Sequence, residues 1–313
     1  MIKIAEMYIG MTGTTSLVVS NVSARKTKRG NDYLNLELYD GTDKIMANYW
    51  DWGGTNMPSV NAIVDVDFQV SEYAGAMQLT VSAMRLNRTL SIAEFAPKTD
   101  IDIELIYKDA YALAADINDD TLRGICLDCL DKYQALWLTV PGAKTIHHAF
   151  IGGTLVHSLS VARIAKAMAQ QIPAANVDLA TAGGLLHDIG KLQSYMINGV
   201  VIDMTDYGRM YEHLYLGARM IEDAAAHYTN KQLVDLLIHI ILSHHGIREH
   251  GAVVPPCLVE AHIVYHADSV DAATQMIIEA ARKSKDTNWT DRIYGLENVP
   301  HIRPDVTTGI MSL

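Results

Sequence analysis

The sequence has little cysteine, no long apolar run and no excess of basic residues. Three cysteines in 313 residues cannot build a disulfide framework. No apolar stretch approaches the roughly 18 residues that a membrane-spanning helix needs. The opening segment MIKIAEMYIG has neither the length nor the cleavage pattern of a signal peptide. The expected location is therefore cytoplasmic, with no membrane partner, and there the sequons at Asn21, Asn87 and Asn288 carry little meaning. A net charge of −11 argues at first against nucleic acid, because phosphate binders usually carry a basic excess. The charge is unevenly spread, however. Residues 1–90 hold 8 Lys/Arg against 9 Asp/Glu, and residues 91–313 hold 17 against 27. The acidity belongs to the second part, where divalent cations would offset some of it. With 49% hydrophobic and 19% charged residues the composition is that of a folded soluble protein, long enough for two domains.

The two parts differ in hydrophobic period. Residues 15–22, 32–40, 43–50, 62–70 and 76–86 alternate apolar and polar side chains, which predicts five short strands. Asp40-Gly41-Thr42 and Ala74-Gly75 read as hairpin connections. Five strands in so short a stretch suit a small closed barrel, of which the OB-fold is the commonest nucleic-acid-binding example. The connection SARKTKRGN, residues 23–31, puts Arg25, Lys26, Lys28 and Arg29 into one loop, with Tyr33, Tyr39, Tyr49, Trp50, Trp52 and Tyr73 close in sequence. Cations can follow a phosphate backbone while exposed rings, Tyr33 and Trp50 first among them, stack on bases, so single-stranded RNA or DNA is the expected partner. The same residues are as consistent with a solvated loop and ordinary barrel aromatics.

From Ser91 the period becomes helical. SIAEFAP reads as a capped turn and residues 100–141 as helices. Cys126 and Cys129 form a CxxC there, but neither a βαβ context nor a second pair accompanies it, so two buried core thiols are expected. The expected fold class is multidomain α+β: a five-stranded OB-fold β-barrel at 1–90, a helical linker region at 91–145, an all-α domain at 146–283 and a C-terminal tail at 284–313.

Twelve of the thirteen histidines lie between His147 and His266, little more than a third of the chain. His157 sits in TLVHSLSVARIAKAMAQQ, an amphipathic helix with Leu155, Leu159 and Ala162 on its buried stripe. DLATAGGLLHDIG reads as a helix capped by Asp178 and stopped at Gly190, which leaves His187 and Asp188 in its last turn. A further helix begins with His213. The stripe Leu233, Leu237 and Ile240 runs into His244, with His245 beside it and Gly246 as the stop. The long helix at 257–283 carries Asp268 and Asp271, three apart and so on one face. Adjacent charged and polar groups such as His187 and Asp188 are costly in a core unless something satisfies them. Helix ends converging from five segments can gather these imidazoles and carboxylates around one point, as metal ligands. The mixture suits Mn, Fe, Co, Ni or Zn better than Mg or Ca. A set of seven, His157, His187, Asp188, His213, His244, His245 and Asp268, exceeds what one ion takes and points to two. His227, His239, His250, His262 and His266 fall outside the pattern and are read as structural. His147 and His148, ahead of AFIGG, are candidates for substrate contact.

The order His157, His187-Asp188, His213, His244-His245 and Asp268, with HDIGK and a later HH, resembles the HD-domain metal-dependent phosphohydrolases in their two-metal form. Joined to an OB-like barrel, and with HHAFIGGTLVHSLSV and the near-terminal WTDRIYGLENV, the chain is similar over nearly its whole length to the YhaM-type 3′-to-5′ exoribonucleases. The tail ENVPHIRP follows that pattern only loosely. The resemblance implies one ion on His157, His187, Asp188 and Asp268 and a second on His213, His244 and His245, with Asp188 bridging. It further implies that Lys191 faces the phosphate and that Asp271 supports a ligand or handles a proton. The implied activity is exonucleolytic hydrolysis of single-stranded RNA, and of DNA as a second substrate, to 5′-mononucleotides, with two divalent transition-metal ions, Mn first, as cofactors. Two cations a few Å apart would lower the pKa of a shared water and stabilise charge on a phosphoryl oxygen, while Lys191 adds positive charge at the phosphate. Two other functions fit the same residues. One is an HD phosphodiesterase or nucleotidase acting on a cyclic dinucleotide or other small nucleotide, which the net acidity favours. The other is a non-catalytic single-strand-binding protein with structural metals, against which seven ligands on two ions leave positions open for water. A homo-oligomer is compatible with both halves, since self-association would set several barrels near one cutting chamber.

Overall fold

The computed structural model describes residues 1–54, 56–95, 99, 101–144, 148–284 and 287–308. The chain divides into two compact units, Met1–Lys98 with Ile197–Val201 and Thr99–Met196 with Ile202–Leu313. In the first, β1 (Thr12–Lys26), β2 (Asp32–Tyr39), β3 (Lys44–Tyr49), β4 (Ile63–Tyr73) and β5 (Ala76–Leu86) form a closed OB-like barrel in the order β1-β2-β3-β5-β4. β1 is longer than its alternating stretch predicts because it serves two neighbours. Residues 12–18 pair with β4 and residues 18–26 with β2, and the register shifts between Val19 and Asn21, where a bulge bends the strand. Parallel pairing of β3 with β5 completes the closure. Inward-facing Leu17, Leu34, Leu36, Val66, Phe68 and Leu79 fill the interior, each burial stabilising by about 1.5–3 kcal/mol.

Both expected hairpin turns form. Ala74 and Gly75, at φ 53° and 81°, make the two-residue turn between β4 and β5. Between β2 and β3 the buried Asp40 accepts from the amides of Thr42 and Asp43 at 2.8 Å each and from the Ile4 amide at 2.7 Å. Three backbone donors thus satisfy a carboxylate that burial alone would penalise.

The second unit is helical: α1 (Ile103–Ala115), α2 (Asp120–Lys132), α3 (Gln134–Trp137), α4 (Gly153–Gln170), α5 (Val177–Leu186), α6 (Lys191–Ser194), α7 (Asp206–Ala224), α8 (Lys231–Ser243), α9 (Val259–Lys283) and α10 (Pro304–Thr308). A hairpin of β6 (Tyr195–Asn198) and β7 (Val201–Met204) follows α6. Tyr107, Leu122 and Trp137 of the first three helices share one core with Leu155, Leu186 and Ile240. Cys126 and Cys129 are free thiols in that core, and burial pushes their pKa values up, that of Cys129 to about 12. Among the described residues no helix is long and apolar enough to cross a membrane.

The start of α5 differs from the sequence reading. Asn176, not Asp178, is the N-cap, accepting from the Leu179 amide at 3.0 Å. Asp178 instead accepts from the Asn118 and Asp119 amides at 3.2 and 3.0 Å, which ties α5 to the α1–α2 turn. Both side chains are good acceptors, and the tertiary partner decides between them. Further along α5, a Cβ at Gly184 would lie 2.7 Å from the Cα of Ala162. Helices α4 and α5 therefore touch backbone to backbone.

Candidate metal centre

That contact places His157 of α4 against the end of α5, where His187 and Asp188 follow Leu186 directly and Lys191 opens α6. A Cβ at Gly190 would lie 1.9 Å from the His213 carbonyl oxygen, so glycine alone lets this turn meet α7. Inside α7 the helical conformation breaks at Glu212, and His213 starts the second segment. His244 caps the end of α8 with His245 next to it, and Asp268 projects from α9. Asp188 lies between two groups of donors. Its Oδ2 is 3.4 Å from His157 Nε2 and 3.3 Å from His187 Nε2. His157 Nε2 is in turn 3.2 Å from His187 Nε2 and 3.1 Å from Asp268 Oδ1. Asp188 Oδ1 faces the other way, 3.6 Å from His213 Nε2 and 3.7 Å from His244 Nε2, and His213 Nε2 is 3.2 Å from His245 Nε2.

Ring orientation follows from position on the helices. A helix end leaves its last carbonyls without amide partners. His187 Nδ1–H donates to Gly184 O at 2.8 Å and His244 Nδ1–H to Ile241 O at 2.7 Å, each three residues back. Both Nε2 lone pairs are thereby turned inward. His157 sits within a helix, where carbonyls are already taken, and its Nδ1–H donates to Asp271 Oδ2 at 2.7 Å. Asp271, itself buried, also accepts from His148 Nε2 at 3.0 Å and from Ser160 Oγ.

The electrostatics match a cation site. Burial opposes the charge on Asp188, but Lys191 Nζ at 2.7 Å and His187 outweigh it and hold the carboxyl well below the usual range. Burial likewise opposes charge on Asp268, and His157 overcomes it. Burial and His187 push His244 well down, and burial and His213 lower His245, so both present neutral imidazoles. Asp188 Oδ1 is buried with no hydrogen-bond partner among the described residues. A buried carboxylate oxygen without a donor is costly, and acceptor atoms converging on it offer divalent cations the mixed N and O ligands they require. The residues fit divalent metal.

Residues 154–273 match the model of the HD domain family. Over 319 aligned residues the chain is 31% identical to the 3′-5′ exoribonuclease YhaM of Geobacillus sp. (strain WCH70), covering 98% of this chain and 97% of that protein. The chain belongs to the YhaM 3′-5′ exoribonuclease family. As a YhaM-family protein it is a phosphoester hydrolase with an OB-like barrel and an HD domain. A domain of replication protein A from Methanococcus maripaludis is similar at 20% identity, covering 27% of this chain and 92% of that one with a TM-score of 0.25. The second OB-fold domain of the same protein is similar at 19%, covering 29% and 97%, again with a TM-score of 0.25. At those values neither likeness carries weight, and the barrel assignment stands on strand order.

Within this YhaM-family chain all seven donors named from sequence meet, with Lys191 beside them. His147 lies outside the described residues. His148, expected to face substrate, is buried and bonded to Asp271 behind His157. Asp271 accepts from His157 Nδ1, His148 Nε2 and Ser160 Oγ, on the side of the His157 ring opposite the Nε2 that faces Asp188. Of the histidines set aside, His227, His250, His262 and His266 are surface residues and His239 is half-buried, its Nε2 accepting from the Cys257 amide at 3.0 Å.

The basic loop on the barrel is shorter than the sequence reading. Arg25 and Lys26 belong to β1, opposite Tyr33 and Asp32, and only Lys28 and Arg29 lie in the turn. Arg25 and Tyr33 share one outward face, and Tyr33 packs on the exposed Trp50 with ring centroids 4.5 Å apart. Lys26 is paired with Asp32 at 3.0 Å. Features that escaped the sequence reading include the β6–β7 hairpin, the cap at Asn176, the backbone break at Glu212, and an exposed row of Tyr207, Tyr211 and Tyr215 on α7 with centroids 6.2 and 5.5 Å apart. The spacing i, i+4, i+8 is a signal for the last.

Proposed function

We propose that this chain is a 3′-to-5′ exonuclease that releases 5′-mononucleotides from single-stranded RNA, and from DNA as a second substrate, with two divalent transition-metal ions, Mn²⁺ first. The observation that carries the reading is Asp188, whose two carboxylate oxygens each face a separate set of imidazoles. Asp188 would join the two ions, His157, His187 and Asp268 holding one and His213, His244 and His245 the other. Bound there, the ions would supply an activated water and positive charge against the phosphoryl oxygens. The protein's own part is to orient and to hold charge. Lys191, kept protonated by Asp188 against the opposing effect of burial, is available to the negative charge that builds on the phosphate. Asp271 holds the His157 ring so that Nε2 stays directed inward. On the barrel, Arg25 would follow the backbone and Tyr33 and Trp50 would stack on bases, with Lys28 and Arg29 adding charge. The relative's name, 3′-5′ exoribonuclease, supports the polarity and the substrate.

The test is a 5′-labelled single-stranded RNA incubated with the protein and Mn²⁺. A ladder shortening from the 3′ end with 5′-mononucleotide release is expected. Asp188→Ala should reduce cutting at least about 10³-fold while strand binding persists. Faster turnover of a cyclic dinucleotide than of the RNA would replace this reading with the small-nucleotide one, and normal cutting by Asp188→Ala would remove the site assignment.

A further inference from the structure

Three imidazoles at the centre owe their orientation to an acceptor at Nδ1: the carbonyls of Gly184 and Ile241 for His187 and His244, and the Asp271 carboxylate for His157. His213 is placed differently. It opens a helical segment, and the start of a helix offers spare N–H groups instead of carbonyls. The residue before it is Glu212, whose backbone stands at φ 59°, ψ 160°. That region is open to glycine and costly for any residue with a Cβ. The Glu212 side chain is 66% exposed, so burial does not draw it inward, yet its Oε2 lies 3.9 Å from His213 Nδ1. Position, strain and proximity all concern His213, whose Nδ1, among the described residues, faces no helix-end carbonyl of the kind that holds His187 and His244.

We propose that Glu212 is the positioning residue of His213: its carboxylate accepts from Nδ1–H and turns Nε2 toward Asp188 Oδ1 and His245. Glu212 thereby sets the affinity of the His213, His244 and His245 group for its divalent cation. The inference rests on the two-cation reading above. A modest rotation of the exposed Glu212 side chain closes the separation to hydrogen-bonding range. The arrangement repeats, at the second group of donors, the support that Asp271 gives to His157 in the first. It also accounts for a non-glycine residue held in a glycine-type conformation, since the side chain has a task that glycine cannot perform.

The experiment is titration of chelator-stripped full-length protein with Mn²⁺ alone, followed by calorimetry and by the paramagnetic resonance signal of free Mn²⁺. The wild type should take up two equivalents. In Glu212→Ala one equivalent should weaken by about 10- to 100-fold and the other stay unchanged. Glu212→Gln keeps an acceptor oxygen and should recover most of that loss. Glu212→Gly separates backbone from side chain: it should raise the melting temperature by a few degrees as the strain is released, and weaken the same equivalent as Ala does. Wild-type affinity for both equivalents in the Ala and Gly variants overturns the inference while leaving two ions in place. Fewer than two equivalents on the wild type overturns the two-cation reading, and the inference with it.

Discussion

Protein stripped of metal should lose stability as pH rises from about 7 to about 8.5, and His157 is the cause. Burial opposes its charge, but the carboxylates of Asp268 and Asp271 raise its pKa to about 9, against about 6.5 for an unfolded imidazole. A group with a raised folded value binds its proton more tightly in the native state. Its contribution is therefore complete below about pH 6.5 and is lost as pH climbs toward the folded value. Within that interval stability falls by about 1.4 kcal/mol per pH unit, or about 2 kcal/mol across the proposed window. The window stops where the buried thiols Cys126 and Cys129, with raised pKa values, begin to add a loss of the same sign. The assay is urea unfolding of chelator-treated protein followed by helical circular dichroism. His157→Gln should flatten the slope. Saturating Mn²⁺ should also abolish it, because a ligating imidazole has already lost its proton, and binding near pH 7.5 should release about one proton. A flat or rising metal-free profile, or a slope that survives in His157→Gln, refutes the reasoning.

Lys191→Met should lower kcat by about 10²–10³-fold with single-strand affinity unchanged, measured by mononucleotide release and by fluorescence anisotropy. Asn176→Ala should cost about 1 kcal/mol in urea unfolding while Asn118→Ala costs less, because only the first removes an N-cap. Replacing Tyr33 and Trp50 by Ala should weaken RNA binding by about 1–3 kcal/mol per lost stacking partner with little change in its salt dependence. Replacing Arg25, Lys28 and Arg29 should flatten that dependence. Gly190→Ala should abolish Mn²⁺ uptake, since its Cβ has no room beside the His213 carbonyl.

The barrel was legible because strand alternation and turn residues are local signals, and both the Ala74-Gly75 and Asp40-Gly41 turns carry their chemistry openly. The length of β1 was not. Its continuation through Lys26 depends on pairing with Asp32 and Tyr33 across the sheet, and a run of cations reads locally as a loop. The seven donors could be listed from their order along the chain, but their second partners could not. Whether an imidazole leans on a carbonyl or on a carboxylate depends on where its helix ends, as His187 and His157 illustrate. Asp178 and Asn176 compete for one cap within three residues, and only the tertiary contact with Asn118 and Asp119 separates them. Glu212 was invisible for a different reason: left-handed backbone is normally announced by glycine, and here it is not.

The backbone contact between Gly184 and Ala162 acts as a ruler that is independent of the groups it spaces. Exchanging an imidazole for a carboxylate at the centre would retune which element is preferred while the gap between α4 and α5 stayed the same. A single added methyl group on the ruler would instead spoil the gap for every element alike. In a protein of this kind, preference for one metal and the ability to hold any metal would be separately heritable, the second resting on small residues, Gly184 and Gly190 among them, that let backbones meet.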